Sequence, residues 1–293
     1  GAIRLRNQNT FGFGEEVGLL LAASDAEQRV ELWLRGERLL VVGLGHRVTG
    51  YWNQDKPRFF TEDGDEINRA DYERSGVEAA LHSSLERWGL LEAGARFGRV
   101  KTRPRAGLPF PEASDGVGSL FAQAAFDTLD DRSWPEHGQR LALAGDWSLA
   151  GLGADHESWR LWLEGRAARP LGSRLVFQAD GVAGVSGREL PIYDWFRLGG
   201  PDWIPGYRHE ELKGTQAFAA ALSLRFRLVG NLRVLGRAGA GNAFERHEDV
   251  TLSGLRWGVG VGLYHPSPIG PVAVELGVRD GGATLVSLGV GWN

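Results

Sequence analysis

The chain has 293 residues and a formal charge of −4, and 43 of its residues are glycine, roughly twice the usual share. It contains no cysteine and no methionine, which excludes a disulfide scaffold and any thiolate metal site, and its slight negative charge carries no nucleic-acid signal. No apolar run approaches the roughly 18 residues of a transmembrane helix, yet a membrane β-barrel remains open because its signal per segment is weak.

The chain opens Gly1-Ala2-Ile3-Arg4, with no initiator methionine, apolar leader or cleavage site, and reads as an excised or mature segment of a longer protein. A first strand is expected at 3–6, and period-two stretches follow at 17–23, 30–34 and 40–46. A polar link covers 53–70. Its acidic run Glu62-Asp63-Gly64-Asp65-Glu66 lacks the final glutamate of a calcium loop and reads as surface. Within 71–88, Val77, Ala79, Leu81, Ser83 and Leu85 fit a strand better than a helix. Strands at 91–97 and 120–126 flank a second polar link at 101–115.

From there the alternation is strong. Leu141, Leu143, Trp147 and Leu149 interleave with Arg140, Ala142, Ala144 and Asp146, and Trp159, Leu161 and Leu163 with Arg160, Trp162, Glu164 and Arg166. After a strand at 175–179 comes the longest link, the 29 residues 185–213. Phe218, Ala220, Leu222, Leu224, Phe226 and Leu228 then alternate with Ala219, Ala221, Ser223, Arg225 and Arg227. Strands at 232–240, 255–263, 272–279 and 284–292 complete the series, with a polar link at 241–252. The total is about 15 strands, and no convincing amphipathic helix.

Short turns alternate with long links, as in outer-membrane barrels, whose turns are short on one rim and long on the other. Alternation alone leaves open which face points outward. A soluble β-sandwich would bury the apolar face, whereas a barrel would turn it to lipid. Charges and glycines on the polar face, and tryptophans near strand ends (Trp52, Trp88, Trp203, Trp292), favour the barrel. Its lumen candidates are Arg140, Asp146, Arg160, Glu164, Arg166, Gln178, Asp180, Arg225, Arg227, Arg256, Glu275 and Arg279. Such charges can pair into a stiffening network or line an aqueous path. The 185–213 link carries Tyr193, Trp195, Phe196, Trp203 and Tyr207, too many aromatics for a solvated loop, and is expected to fold into the lumen. Glycines 258, 260, 262, 289 and 291 would leave room for it.

Within that link, Phe196-Arg197-Leu198-Gly199-Gly200, Ile204-Pro205-Gly206-Tyr207-Arg208 and Glu211-Leu212-Lys213-Gly214 resemble the sixth-loop motif of the BamA-like, bacterial surface antigen superfamily. Three further matches fall in order: Phe126-Asp127-Thr128-Leu129-Asp130-Asp131 with Pro135-Glu136-His137-Gly138, Gly241-Asn242-Ala243-Phe244, and Pro268-Ile269-Gly270-Pro271. The resemblance covers residues 116–293 and implies an all-β, transmembrane antiparallel β-barrel of about 16 strands. The whole chain, 1–293, would form this single domain, with 185–213 as the sixth extracellular loop. The residues carried over are Leu198, Gly199, Gly200, Ile204, Pro205, Gly206, Tyr207 and Arg208. The family's tetrad arginine corresponds to Pro205, and the acidic residue that pairs with it in the lumen corresponds to Gly239. Arg208 is a candidate to replace the arginine. The non-arginine tetrad resembles most closely the barrel of patatin-like type Vd autotransporters.

That resemblance implies a bacterial outer-membrane location and a barrel that anchors and translocates an N-terminal passenger, a patatin-like lipase absent from this chain. A free-standing secretion pore, an outer-membrane insertase and a passive porin are the alternatives. Implied partners are outer-membrane lipids, the covalently linked passenger and the barrel assembly machinery. Weakly paired first and last strands would also admit a homodimer. No catalysis, cofactor or metal is expected in this chain. It has no Gly-x-Ser-x-Gly elbow, Asp280-Gly281-Gly282 reads as a hairpin turn, and His209-Glu210-Glu211 reads as a solvated loop.

Overall fold

A computed structural model describes the chain except for residues 11, 13, 39–41, 62–63, 86–87, 108–110, 133, 188–189, 268–271 and 291–293. The strands are β1 (Ala2–Gln8), β2 (Glu16–Ala23), β3 (Glu27–Arg38), β4 (Val42–Asp55), β5 (Arg58–Phe60), β6 (Glu66–Leu85), β7 (Gly89–Gly107), β8 (Ala113–Asp127) and β9 (Gly138–Ser148). They continue with β10 (Ser158–Pro170), β11 (Leu175–Ser186), β12 (Phe196–Leu198), β13 (Leu212–Gly214), β14 (Gln216–Val229), β15 (Leu232–Phe244), β16 (Arg256–His265), β17 (Val272–Arg279) and β18 (Thr284–Val290). Four single-turn 3-10 segments are the only helical elements among the described residues.

Fifteen strands follow one another in sequence order through one antiparallel sheet, and the short β5 beside β6 makes sixteen; β12 and β13 form a separate ribbon. Ten strands of the path precede the long loop and five follow it. Neighbour-to-neighbour order of this kind needs only hairpins, which suits a sequence punctuated by short Gly and Pro turns.

Which face points outward is decided by exposure. On β14, Leu222, Leu224 and Phe226 are 54%, 48% and 41% exposed, while the intervening Ser223 and Arg225 are 2% and 4% exposed. On β16, Trp257, Val259, Val261 and Leu263 are all exposed. The apolar face therefore points away from the protein and the polar face into it, the reverse of a soluble sandwich. Hydrocarbon is the solvent that makes such a surface stable, and strands of 9–11 tilted residues span it. Among the described residues, no helix is long and apolar enough to cross a membrane. The mean hydropathy of −0.24 averages these two opposed faces.

The chain divides into two compact units. The first holds residues 1–125, 144–161 and 189–194; its buried cluster is Ala70, Tyr72, Val100 and Tyr193. The second holds 126–143, 162–188 and 195–293, with a cluster of Val182, Leu198, Ile204, Tyr207 and Ala219. In each, the cluster joins loop residues to the inner face of strands.

The polar links expected at 53–70 and 101–115 are largely strand. β6 begins at Glu66 and β7 runs to Gly107, giving strands of 20 and 19 residues. These segments are polar on their outer face, so an apolar period cannot reveal them; the Asn68–Tyr72 to Thr102–Gly107 register holds them. The motif at 268–271 and Trp292 lie outside the described residues.

Placing arginine on the lipid-facing side tests this polarity. Leu224→Arg is expected to destabilise the folded protein by about 2–4 kcal/mol, a depth-dependent cost that Leu224→Ala would not share. Reversible urea unfolding in lipid vesicles measures it.

Candidate functional site: the long loop on the polar face

In the first unit the polar face carries a chain of shared ion pairs. Arg47 lies 2.6 Å from Glu78 and 2.5 Å from Glu92, and Arg96 lies 2.8 Å from Glu78 and 3.0 Å from Asp146. Arg160 continues it, 3.2 Å from Asp146 and 3.8 Å from Asp194. Asp194 belongs to the long loop and also meets Arg74 at 3.2 Å. Next to it, the Tyr193 hydroxyl donates to Asp115 at 2.9 Å, and its backbone carbonyl accepts from Arg74. Burial, followed by that hydrogen bond and the nearby carboxylates, raises the Tyr193 phenol above its ordinary value, so it remains a neutral donor.

In the second unit the rest of the loop forms the β12–β13 ribbon, with Arg197 opposite Lys213, and a tip closed by a Gly200–Ile204 bridge. Ile204, Pro205 and Tyr207 are almost fully buried. The tip rests on strand positions that lack a side chain. A Cβ at Gly239 would lie 1.9 Å from the Trp203 carbonyl oxygen, and one at Gly258 would lie 1.9 Å from the Pro205 carbonyl oxygen. A Cβ at Gly277 would lie 2.2 Å from the Gly206 nitrogen, and at Gly260 one would lie 2.9 Å from the Pro205 ring. Three of these four clashes are with backbone, so β15, β16 and β17 accept the loop only because these positions are glycine. Gly206 itself has φ of 87° and packs against the Arg279 backbone, a turn that other residues adopt only with strain.

Charge then fixes the seated tip. Glu211 lies 2.6 Å from Arg279, with side-chain exposures of 3% and 9%. The second Glu211 oxygen accepts the Arg208 backbone N–H at 2.7 Å. The Arg279 guanidinium covers the Tyr207 ring at 4.4 Å, and the Tyr207 hydroxyl donates to Asp280. Burial, and then that Asp280 contact, raises the Tyr207 phenol as well. On the other side of the tip, Arg237 donates to the Pro201 carbonyl at 2.6 Å and to Asp202 at 3.0 Å. Lys213 is lowered to about 8 by burial and by neighbouring Arg197.

A sequence profile for the Omp85 superfamily domain matches residues 9–284. The chain belongs to the Omp85 superfamily. No curated protein matches it. Among solved structures, BamA from Haemophilus ducreyi lacking POTRA domains 1–3 is similar with a TM-score of 0.82 at 14% identity, over 98% of this chain and 67% of that one. CdiB from Escherichia coli is similar with a TM-score of 0.67 at 15% identity, over 98% of this chain and 57% of that one. CdiB from Acinetobacter baumannii follows at 0.62 and 12%, over 99% and 56%. The chain thus spans little more than half the length of the CdiB structures. An Omp85 fold places the protein in the outer membrane.

Within this Omp85 barrel, the candidate residues separate into groups. Leu198, Gly199, Gly200, Ile204, Pro205, Gly206 and Tyr207 make up the ribbon end and the seated tip. Arg208, the candidate replacement arginine, has an exposed side chain; the buried arginine beside the tip is Arg279 on β17. Asp180 pairs with Arg166 at 2.6 Å and accepts from Gln178, and Glu275 lies 3.9 Å from Arg237. Arg256 lies 3.8 Å from Asp280, and Glu164 is half-buried on the same face. Glycines 258 and 260 meet the loop as expected, whereas 262 meets Val274 and Glu275, and 289 meets only Ala273. Trp203 is no interfacial anchor, since it packs against the inward cluster of Leu198, Ile204 and Tyr207. Glu211 is buried and paired rather than solvated.

Arg225 has a role that strand alternation did not suggest. The turn 128–137 folds inward, and Trp134 stacks on Tyr264 at 3.6 Å under Arg225 at 4.8 Å and Arg233 at 5.8 Å. Arg225 also donates to the Pro135 carbonyl, and Glu136 pairs with Arg227 and Arg233. Trp134 sits in the Asp-Thr-Leu-Asp-Asp…Pro turn, where an isolated aromatic among polar residues was the available signal.

Two substitutions probe the seating. Gly258→Val should unseat the tip, with protease cleavage after Arg208 accelerating about tenfold or more, since each 1.4 kcal/mol of lost docking is about a factor of ten. Gly289→Ala is the matched control and should leave cleavage unchanged. Glu211→Gln removes the buried counter-charge 2.6 Å from Arg279 and should cost about 3–5 kcal/mol in denaturant unfolding, most of it recovered by adding Arg279→Met.

Proposed function

We propose that this Omp85 barrel anchors an N-terminal passenger in the outer membrane and assists its passage, and that the passenger is a patatin-like lipase. The observation that carries this reading is the loop tip. Superfamily members that insert or secrete other proteins typically pair a tetrad arginine with a strand acid, whereas Pro205 and Gly239 occupy those positions here. The tip is held instead by bare backbone on a glycine floor and by the Glu211–Arg279 pair. Such a tip resembles the barrels of type Vd autotransporters, whose cargo is part of the same polypeptide. A barrel with one tethered client needs only one stable loop seat, and that is what this packing supplies. The ion-paired wall supports the same reading, because paired charges stiffen a scaffold and offer no selective path to small ions. Insertion of the barrel itself would rely on the barrel assembly machinery. The second reading, a free-standing secretion or insertion barrel, is favoured by superfamily membership.

The full-length protein separates the two. The reading frame before Gly1 should encode Gly-x-Ser-x-Gly, and intact cells should show phospholipase activity that a Ser→Ala change in that elbow abolishes. An upstream region made solely of periplasmic repeats, with no such activity, would replace this reading with the second.

A further inference from the structure

Strand β7 changes character along one face. Leu91, Ala93, Ala95 and Phe97 are followed, at the same alternation, by Arg99, Lys101, Arg103 and Arg105. The other face is fixed by Val100 and Thr102, which are 3% and 2% exposed. Val100 joins the internal cluster with Tyr72 and Tyr193, so the odd-numbered residues point away from the protein. Leu91 and Phe97 are exposed and belong to the lipid-facing band. At about 3.4 Å per residue, the row from Arg99 to Arg105 occupies about 20 Å of strand beyond that band. They lead toward the rim of long connections, which is the external one in outer-membrane barrels. The row therefore begins where acyl chains give way to headgroups.

Its own protein neighbours leave much of the charge uncompensated. On β6, Ser75, Glu73 and Asp71 stand opposite Arg99, Lys101 and Arg103 in register. Arg105 approaches Asp71 at 3.4 Å, and Arg99 donates to Ser114 at 3.4 Å. Among the described residues, the side chains of Lys101 and Arg103 make no hydrogen bond or ion pair. Beyond Arg105 a groove adds Lys56, Arg58 and Arg69, the last two paired with Glu66. Four outward cations thus face two carboxylates on a surface continuous with the apolar band.

We propose that Arg99, Lys101, Arg103 and Arg105 bind the phosphate groups of an outer-leaflet glycolipid whose acyl chains lie along Leu91–Phe97. Guanidinium forks bind phosphate bidentately, and successive cations about 7 Å apart can engage phosphates on one headgroup or on adjacent ones. A protein partner would seat on the loops above the bilayer; this row shares its strand face with the lipid-exposed residues.

The full-length protein, purified in detergent, is titrated with diphosphoryl lipid A and followed by native mass spectrometry. Dephosphorylated lipid A and inorganic phosphate are the comparison ligands. Diphosphoryl lipid A is expected to bind, and the Lys101→Gln/Arg103→Gln variant to bind about thirtyfold more weakly, at about 1 kcal/mol per surface cation. The charge-preserving Lys101→Arg/Arg103→Lys variant should retain binding, and all variants should keep the heat-modifiable gel migration of the folded barrel. Equal binding of the dephosphorylated lipid, competition by millimolar inorganic phosphate, or undiminished binding by the glutamine variant would each overturn the assignment.

Discussion

The arrangement of the second unit depends on one steric constraint: loop backbone and strand backbone touch at positions that have no side chain. With Gly239, Gly258 and Gly277 beneath it, the tip approaches three adjacent strands more closely than any Cβ would permit. Everything else in the seat follows from that approach. Burying Ile204 and Tyr207 excludes water, which makes a Glu211–Arg279 pair necessary and makes its geometry count. The same approach brings Tyr207 under the Arg279 guanidinium and within reach of Asp280 in the β17–β18 turn. The loop is thus located by shape and then held by charge.

The polar faces address a different problem. A wall of arginines and carboxylates removed from bulk water is stable only if each charge has a counter-charge or a hydrogen-bonding partner. In the first unit this is met by alternating sign across β4, β6, β7, β9 and β10, ending on Asp194 of the loop. In the second it is met partly by backbone: Arg225 and Arg237 donate to the carbonyls of Pro135 and Pro201, which lie in segments folded onto the wall. Proline carbonyls suit this role because the residue has no N–H that would itself require a partner.

Much of this was readable from residue order. Strict alternation at β14, β16 and β17 gave the strands, and the aromatic density of 185–213 gave the inward loop. Gly258 and Gly260 stood out because glycine alternates with Trp257, Val259 and Val261 there. Gly239 and Gly277 did not, because they sit among alanines and mixed residues where a small side chain looks ordinary. The outer halves of β6 and β7 are hidden for a related reason: their outward face is charged, and a period defined by apolar residues stops where lipid stops. The burial of Glu211 is invisible in the sequence because a carboxylate in a polar loop has no local signature of burial; its partner lies 68 positions away.

The shared ion pairs also determine how the wall would fail. Arg47, Arg96 and Arg160 each hold two carboxylates, and Glu78 and Asp146 each hold two arginines. Breaking a contact between any two of these five groups leaves each still paired with another, so no isolated charge is created and the disturbance stays local. The seated tip is held differently, by backbone packed on glycine and by the buried Glu211–Arg279 pair. A local disturbance would therefore be absorbed by the lattice, whereas the tip, located by close backbone contact over Gly239, Gly258 and Gly277, can move only as a unit.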